Sequence, residues 1–262
     1  MLYVVTASHN RKAITAEFAK RLTKSSCQDY KLLLVDDGST DGTAEAVQKI
    51  LQKRAIILYG NGNLWWGGAL HKAYKWLCEN ADSDDFVLFS NDDVIYASDY
   101  LSKGIDLLSG QKKKLLLGLA YSDRTGQLFD APIEWDCSIA EGKKRTCPPW
   151  RGNCASTRSL FFRVEDMKQI GGFHPILLPH YLSDYEWTIR ACKKGYEVIS
   201  SEKLYYTMLE AETGNRDRKQ LSLRQLFSKK SNMNPIYRLS FLCLTVPIWN
   251  WGKAFKRQLQ RL

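Results

Sequence analysis

At 262 residues and 44% hydrophobic content, the chain can bury one sizeable core, or a core with a small annex, which excludes a disordered or low-complexity protein. The formal net charge of +10 sits in the last stretch: from Arg218 onward there are ten Lys and Arg and no Asp or Glu, so 38 − 10 leaves 28 basic residues against 28 acidic ones before it. A neutral body with a cationic tail points to an anionic partner for the tail, not to a basic enzyme body.

Taken in chain order, the first half alternates strands and helices. LYVVTAS is a short β-rich run, and residues 13–24 have helical apolar spacing. YKLLLVDDGS is a second buried strand, followed by a helix over 41–53 that Thr40 or Asp41 could cap. AIILYG, the helix GGALHKAYKWLCENA and the strand DFVLFSNDD follow. Near-continuous apolar strands separated by helices predict an α/β fold, a mostly parallel sheet covered on both faces. Ligands of such sheets bind beyond the carboxyl ends of the strands. Here those ends are Ala7-Ser8-His9-Asn10, Asp36-Asp37-Gly38, Gly60-Asn61-Gly62-Asn63 and Asn91-Asp92-Asp93, all polar and all expected on one edge. Residues 120–160 are less regular. TRSLFFRVEDMKQIGGF then reads as a strand and a short helix, and SDYEWTIRACKKGYEV as a helix from a Ser183 N-cap to a Gly195 C-cap. Seven Cys without zinc spacing read as reduced thiols. The N-terminal MLYVVTASHN enters a strand with no signal-peptide pattern, so a cytoplasmic protein is expected.

Three stretches carry chemistry. VDDGSTDGT sets two carboxylates at a strand end, where an acid can accept hydrogen bonds from a base or ribose. No P-loop and no GxGxxG is present, which argues against a P-loop NTPase and a dinucleotide dehydrogenase. NGNLWWGGALHKA supplies glycines that let backbone approach a ligand, ahead of a helix N-terminus that favours anions. Asn91-Asp92-Asp93 offers the oxygen-only donors that Mg²⁺ or Mn²⁺ prefer, as a bridge to phosphates.

In the order VVTASHNR, LLLVDDGSTDGT, GNLWWGGA, VLFSNDDV, IGGF and SDYEWTIRACKKGYEV, the chain resembles the family 2 glycosyltransferases of the GT-A fold over roughly residues 1–210. The resemblance implies an inverting transfer from a nucleotide-sugar donor, a UDP-sugar ahead of a dTDP-sugar. It implies that Ala7, Ser8, His9 and Asn10 hold the nucleobase and that Asp37 contacts the nucleoside. Asn63, Trp66, Gly67, Asn91, Asp92 and Arg190 complete the implied donor site. Asp93, with Asp92 beside it, would bind Mn²⁺ or Mg²⁺, and Asp184 would be the catalytic base. The chain departs from the pattern in having Ser183 where a Glu precedes the base, Asn91 for the first acid of the metal motif, and no His after the last sheet strand.

The expected organisation is a catalytic domain over 1–215, with a donor half (1–118) and an acceptor half (119–215), and a basic amphipathic tail over 216–262. The tail segment LSFLCLTVPIW is too short to span a bilayer and suits an anionic membrane surface on the inner face of the cell membrane. The alternative is a helix pair docked on the body or on a second subunit of a homodimer. Trp135, Trp150 and Tyr181 read either as core or as stacking surfaces for a glycan or lipid-linked acceptor in cell-surface polysaccharide synthesis. His174 and His180 read as ordinary loop residues. Two rival functions are a nucleotide-binding module without catalysis and a nucleic-acid-binding arm; the apolar character of the tail argues against nucleic acid.

Overall fold

The computed structural model describes residues 1–212, 223–229 and 231–259. The first half runs β1 (Leu2–Ser8), α1 (Lys12–Thr23), β2 (Tyr30–Asp36), α2 (Thr43–Leu51), β3 (Ala55–Tyr59), α3 (Trp65–Asn80), β4 (Phe86–Ser90), β5 (Val94–Ile95) and α4 (Tyr100–Leu108). The middle of the chain adds β6 (Lys114–Leu117), β7 (Leu119–Ser122), β8 (Leu128–Asp130), β9 (Ile133–Asp136), β10 (Glu141–Lys144) and β11 (Arg151–Gly152). Then come β12 (Ser159–Arg163), α5 (Val164–Ile170), α6 (Ser183–Lys193), β13 (Glu197–Ile199) and β14 (Tyr205–Met208). The tail forms α7 (Leu223–Leu226), α8 (Pro235–Thr245) and α9 (Trp251–Leu259).

Eight strands form the central sheet in the order β11-β13-β6-β12-β4-β1-β2-β3. Strands β4, β1, β2 and β3 are mutually parallel neighbours, so their polar carboxyl ends share one edge as expected. Alternation along each strand divides the core into two layers. Tyr3, Val5, Leu33 and Val35 face α3, α5 and α6, whereas Leu2, Val4, Leu32 and Leu34 face α1, α2 and α4. Helices on both faces explain why these strands read as unbroken apolar runs. This is a GT-A-like α/β architecture. A second sheet, β5-β14-β7-β8, and the β9–β10 hairpin stand beside the main one.

Helix boundaries differ from the sequence reading where a distant group supplies the cap. α3 begins at Trp65, ahead of the predicted glycines, because Asp37 Oδ2 accepts the Leu64 and Trp65 N–H groups at 2.8 and 3.0 Å. α2 starts after Gly42, in the left-handed region at φ 81°, with Asp41 accepting from Thr43 rather than capping at position 40 or 41. Leu182, not Ser183, is the N-cap of α6, and Ser183 Oγ donates to the His180 carbonyl at 2.7 Å. Gly195 follows the C-cap Lys194 at φ +87°, a conformation that favours glycine.

The tail docks on the body. Asn234 caps α8 by accepting from the Ile236 N–H at 3.0 Å, Phe241 meets Trp135 edge-on at 5.2 Å, and Lys193 Nζ donates to the Thr245 carbonyl at 2.8 Å. Arg257 pairs with Glu141 at 2.8 Å. Of the ten basic tail residues, Arg218, Lys219, Lys230 and Arg261 lie outside the described residues. Among the described residues no helix is long and apolar enough to cross a membrane.

Candidate active site

The tips of β1 and β2 are tied to each other and to the acidic end of β4. His9 Nδ1 lies 2.6 Å from the Asp37 carbonyl oxygen. Asn10, at φ 52°, accepts the Thr40 N–H at 2.8 Å and binds Ser39 Oγ through its own N–H at 2.9 Å. Ala7 packs into the core beneath them. Thr15 has one hydroxyl proton; it donates to Asp92 Oδ2 at 2.7 Å and therefore accepts from Ser8 Oγ, 2.8 Å away.

The acidic residues at this edge have unequal roles. Asp37 is 7% exposed and accepts three backbone N–H groups, from Gly62, Leu64 and Trp65. It therefore holds the 60–65 loop and the start of α3. Asp92 is saturated too: besides Thr15, the Arg11 fork reaches its Oδ1 and Oδ2 at 3.1 and 3.3 Å. Asp93 is different. It is 3% exposed, its Oδ1 is buried with no hydrogen-bond partner, and its Oδ2 lies 3.7 Å from Arg11. Burial, and then the neighbouring Asp92, push its carboxyl up, while Arg11 draws it back. An orphaned carboxylate oxygen beside a second acid fits a hard divalent cation. Among the described residues no three His, Cys, Asp or Glu side chains cluster as a metal site, so a cation would take its other ligands from phosphate oxygens and water.

The 60–67 segment contributes the next wall. Asn63 Oδ1 accepts from Trp65 Nε1 at 3.0 Å and from Lys229 Nζ at 2.9 Å, which carries the tail to the 60–65 loop. Trp66 Nε1 donates to Thr157 Oγ1 at 2.9 Å and its ring lines the cleft. Gly67 is a close-approach glycine: a Cβ there would lie 2.4 Å from the Leu178 carbonyl oxygen.

A cavity of about 830 Å³ opens beside this edge, and of the predicted residues it brings together Trp66, Asn91 and Asp184. Asp184 lies in the first turn of α6. Burial pushes its carboxyl up to about 6, against the pull of Arg158. A carboxylate poised there is a competent base near neutral pH. Burial pushes the imidazole of His180, also a lining residue, down to about 4, so it stays neutral. Trp135 and Tyr181 line the same cavity, whereas Trp150 Nε1 turns to Glu202 at 3.2 Å.

Arg190 is directed elsewhere. It clamps Glu186 at 2.8 and 3.0 Å and donates to the Ile170 and Gly172 carbonyls, each at 2.7 Å. It lies six positions after Asp184 on one helix, so the two occupy different faces, and Arg190 is not among the cavity-lining residues. Its contacts hold the turn after α5 rather than a ligand in the cleft.

Sequence reasoning missed Arg11, Asp130 and Arg158. Asp130 is 4% exposed, accepts from Ser156 Oγ and lies 3.6 Å from Arg158, and both line the cavity. Arg158 arrives because β12 pairs antiparallel to β4, with Ser159 opposite Ser90, and Asp130 because β8 pairs antiparallel to β7, with Asp130 opposite Ala120; no local motif announces either pairing. Arg11 directly follows the quoted strand tip, and its position before an acid-rich edge was the available signal.

The family model described as glycosyl transferase family 2 matches residues 3–169. The chain belongs to that family. It is a glycosyltransferase, similar to the N-acetylglucosaminyl-diphospho-decaprenol L-rhamnosyltransferase of Mycobacterium tuberculosis, with 26% identity over 224 residues that cover 82% of this chain and 70% of the relative. Among solved structures, the glycosyltransferase superposes on GalNAc-T7 with UDP, GalNAc and Mn²⁺ at a TM-score of 0.65 and 12% identity, covering 82% of this chain and 45% of that one. It superposes on the mannosyltransferase PcManGT of Pyrobaculum calidifontis, in complex with GDP-Man and Mn²⁺, at a TM-score of 0.56 and 16% identity, covering 98% and 73%. These likenesses show the GT-A fold.

Proposed function

We propose that this glycosyltransferase moves a sugar, with inversion, from a nucleoside diphosphate sugar to a hydroxyl of a lipid-linked glycan in cell-surface polysaccharide synthesis. The observation that carries the reading is Asp184, a carboxylate with its proton affinity raised towards neutrality on the wall of an 830 Å³ cavity. The relative's diphospho-decaprenol acceptor supports a lipid-linked acceptor here, and Mn²⁺ beside UDP or GDP-Man in the structural neighbours supports a divalent cation at Asp93. UDP-sugars are the first donors to test, with dTDP-sugars second.

In the proposed reaction the acceptor oxygen attacks the anomeric carbon as the bond from that carbon to the diphosphate oxygen breaks. Asp184 takes the proton released by the acceptor hydroxyl, and the electron pair of the broken bond leaves on the diphosphate. A divalent cation, when bound at Asp93, stabilises charge on the leaving phosphates. The 60–65 loop, braced by Asp37, sets the donor rim, and the closed α3–Leu178 contact at Gly67 fixes Trp66 against the cleft. Arg158, between Asp130 and Asp184, keeps the acceptor wall from accumulating unopposed negative charge. The tail supports an anionic membrane contact: Ile248 and Trp249 are 68% and 80% exposed, with Lys253 and Lys256 a few residues further on.

A thermal-shift screen of nucleotide sugars with and without Mn²⁺, followed by transfer of the radiolabelled sugar from the best donor, tests the reading. Metal-dependent stabilisation by one donor, and transfer to a prenyl-diphosphate-linked sugar, are expected. Donor binding without turnover on any lipid-linked sugar would favour a nucleotide-binding module.

A further inference from the structure

Two buried carboxylates side by side repel, and the fold must compensate them before any metal arrives. Arg11 is placed to do so. It occupies the residue immediately before α1, so the helix start fixes where its side chain begins. Its Nη2 lies 3.1 Å from Asp92 Oδ1 and 3.7 Å from Asp93 Oδ2, and its Nε lies 3.3 Å from Asp92 Oδ2. The guanidinium is 31% exposed over carboxylates that are 6% and 4% exposed. It therefore closes the acidic pair from the solvent side. The contact is two-pronged on Asp92 and single and long on Asp93, and a planar fork on a carboxylate is the stronger arrangement. Thr15 adds a third hydrogen bond to Asp92, at 2.7 Å, while Asp93 Oδ1 has none.

We infer that Arg11 is the resident counter-ion of the acidic pair: it locks Asp92 in an ion pair, leaves Asp93 as the acid with an unpartnered oxygen, and keeps metal affinity low while it stays in place. The inference rests on the reading of Asp93 as the metal-side acid. Its physical basis is charge. With Arg11 in place the local sum of two carboxylates and one guanidinium is −1, a weak attractor for a divalent ion that must also shed water. With Arg11 neutralised the sum is −2, and Asp92 gains free lone pairs next to Asp93. Arg11 is thus a positioning residue: it acts on the cation through the two acids.

The test uses the full chain and Mn²⁺ alone, followed by the loss of the free-ion electron paramagnetic resonance signal, so it needs neither donor nor turnover. Wild type is expected to bind Mn²⁺ only in the millimolar range. Arg11→Gln should bind it roughly tenfold or more tightly, because a positive charge within a few ångströms of the ion has been removed. Arg11→Lys, which keeps the charge but not the fork, should stay within about threefold of wild type. Melting curves give a second readout: Arg11→Gln should melt lower than wild type without Mn²⁺ and recover with it, since the cation replaces the missing charge. Equal Mn²⁺ affinity in wild type and Arg11→Gln, or micromolar binding by wild type, would overturn the inference. If Arg11→Gln does not fold, the wild-type titration decides, with millimolar binding supporting the inference and micromolar binding ending it. UDP or dTDP added in a separate arm tests the donor reading: nucleotide that never binds sinks that reading and leaves the Mn²⁺ result standing.

Discussion

The edge proposed to hold the donor and the wall proposed to take the acceptor are built on opposite plans. At the donor edge the acids are turned to the protein: Asp37 accepts three backbone N–H groups, and Asp92 takes Arg11 and Thr15. Among the described residues, Asp93 Oδ1 is the buried carboxylate oxygen without a hydrogen-bond partner. On the acceptor wall Asp184 faces an open cavity and is held by the 3.0 Å contact from the Tyr185 N–H, with its proton affinity raised by burial. A saturated rim fixes the protein's own loops in place, whereas a desolvated carboxylate on an open cavity can exchange protons with a hydroxyl that enters it. The comparison predicts that substitutions at the first region act on binding and stability, and those at the second on turnover.

The largest expected effect breaks the second region alone. Asp184→Asn keeps the size and helix position but cannot take a proton, so turnover should fall by about 10²-fold or more, the range typical of a lost general base. Donor affinity should change by less than about 1 kcal/mol, under tenfold. Transfer of a radiolabelled donor and calorimetry measure the two. Near-normal transfer would remove Asp184 from the base role, and Glu186 would not replace it, being 2% exposed and clamped by Arg190.

Next comes the frame of the first region. Asp37→Ala leaves three N–H groups of the 60–65 loop without their acceptor, and the variant should lose about 2–3 kcal/mol of stability by denaturant unfolding. Asp93→Asn should behave oppositely. Removing a buried, partly unsatisfied carboxylate should leave the melting temperature no lower than wild type, while Mn²⁺-dependent UDP or dTDP binding weakens about tenfold or more. Unchanged metal-dependent binding would take Asp93 out of the site.

The same contrast explains what was legible in the sequence. The apolar strands and their polar tips gave the parallel edge, because alternation between two helix layers leaves a continuous hydrophobic run in the text. The acids at positions 37, 92, 93 and 184 were visible as residue types, and the resemblance gave each an expected role, but the electrostatic setting of each was not visible. It is set by contacts far apart in sequence, such as Arg11 with Asp92 and Asp37 with Leu64. Arg190 shows the same limit from the other side: a motif position marked it for the donor, and helix phase turned it to Glu186. Asp130 and Arg158 were invisible because two antiparallel pairings in separate sheets, β8 on β7 and β12 on β4, deliver them. The tail was readable as basic and apolar, yet its docking through Phe241 on Trp135 belongs to packing.

A smaller effect sharpens the reading of Asp184 through pH. The active form of a base is deprotonated, so kcat/KM should be flat above its pKa and fall about tenfold per pH unit below it. With the carboxyl raised to about 6, activity should decline as pH drops through 6, well above the range of an ordinary aspartate. Arg158→Gln removes the positive charge that opposes burial, so the bend should move to higher pH. A bend unmoved by Arg158→Gln, or lying near 4, would contradict the electrostatic account of the acceptor wall.

The smallest effect concerns the tail, where the two regions meet the surroundings. Trp249 is 80% exposed at the turn between α8 and α9, next to Ile248 at 68%. Amphipathic side chains of this kind settle at a lipid interface, and nearby Lys and Arg add attraction that salt screens. Trp249→Ser should lower flotation with vesicles containing anionic lipid by about three- to tenfold, a loss of roughly 1 kcal/mol. Donor binding should be unchanged, because Trp249 is not among the residues lining the cleft. Raising salt should weaken wild-type flotation and leave a residue of binding that Trp249→Ser abolishes. Equal flotation of both proteins at every salt concentration would assign Trp249 to a protein contact, such as a second copy of the chain, and sedimentation at increasing concentration would then reveal the self-association.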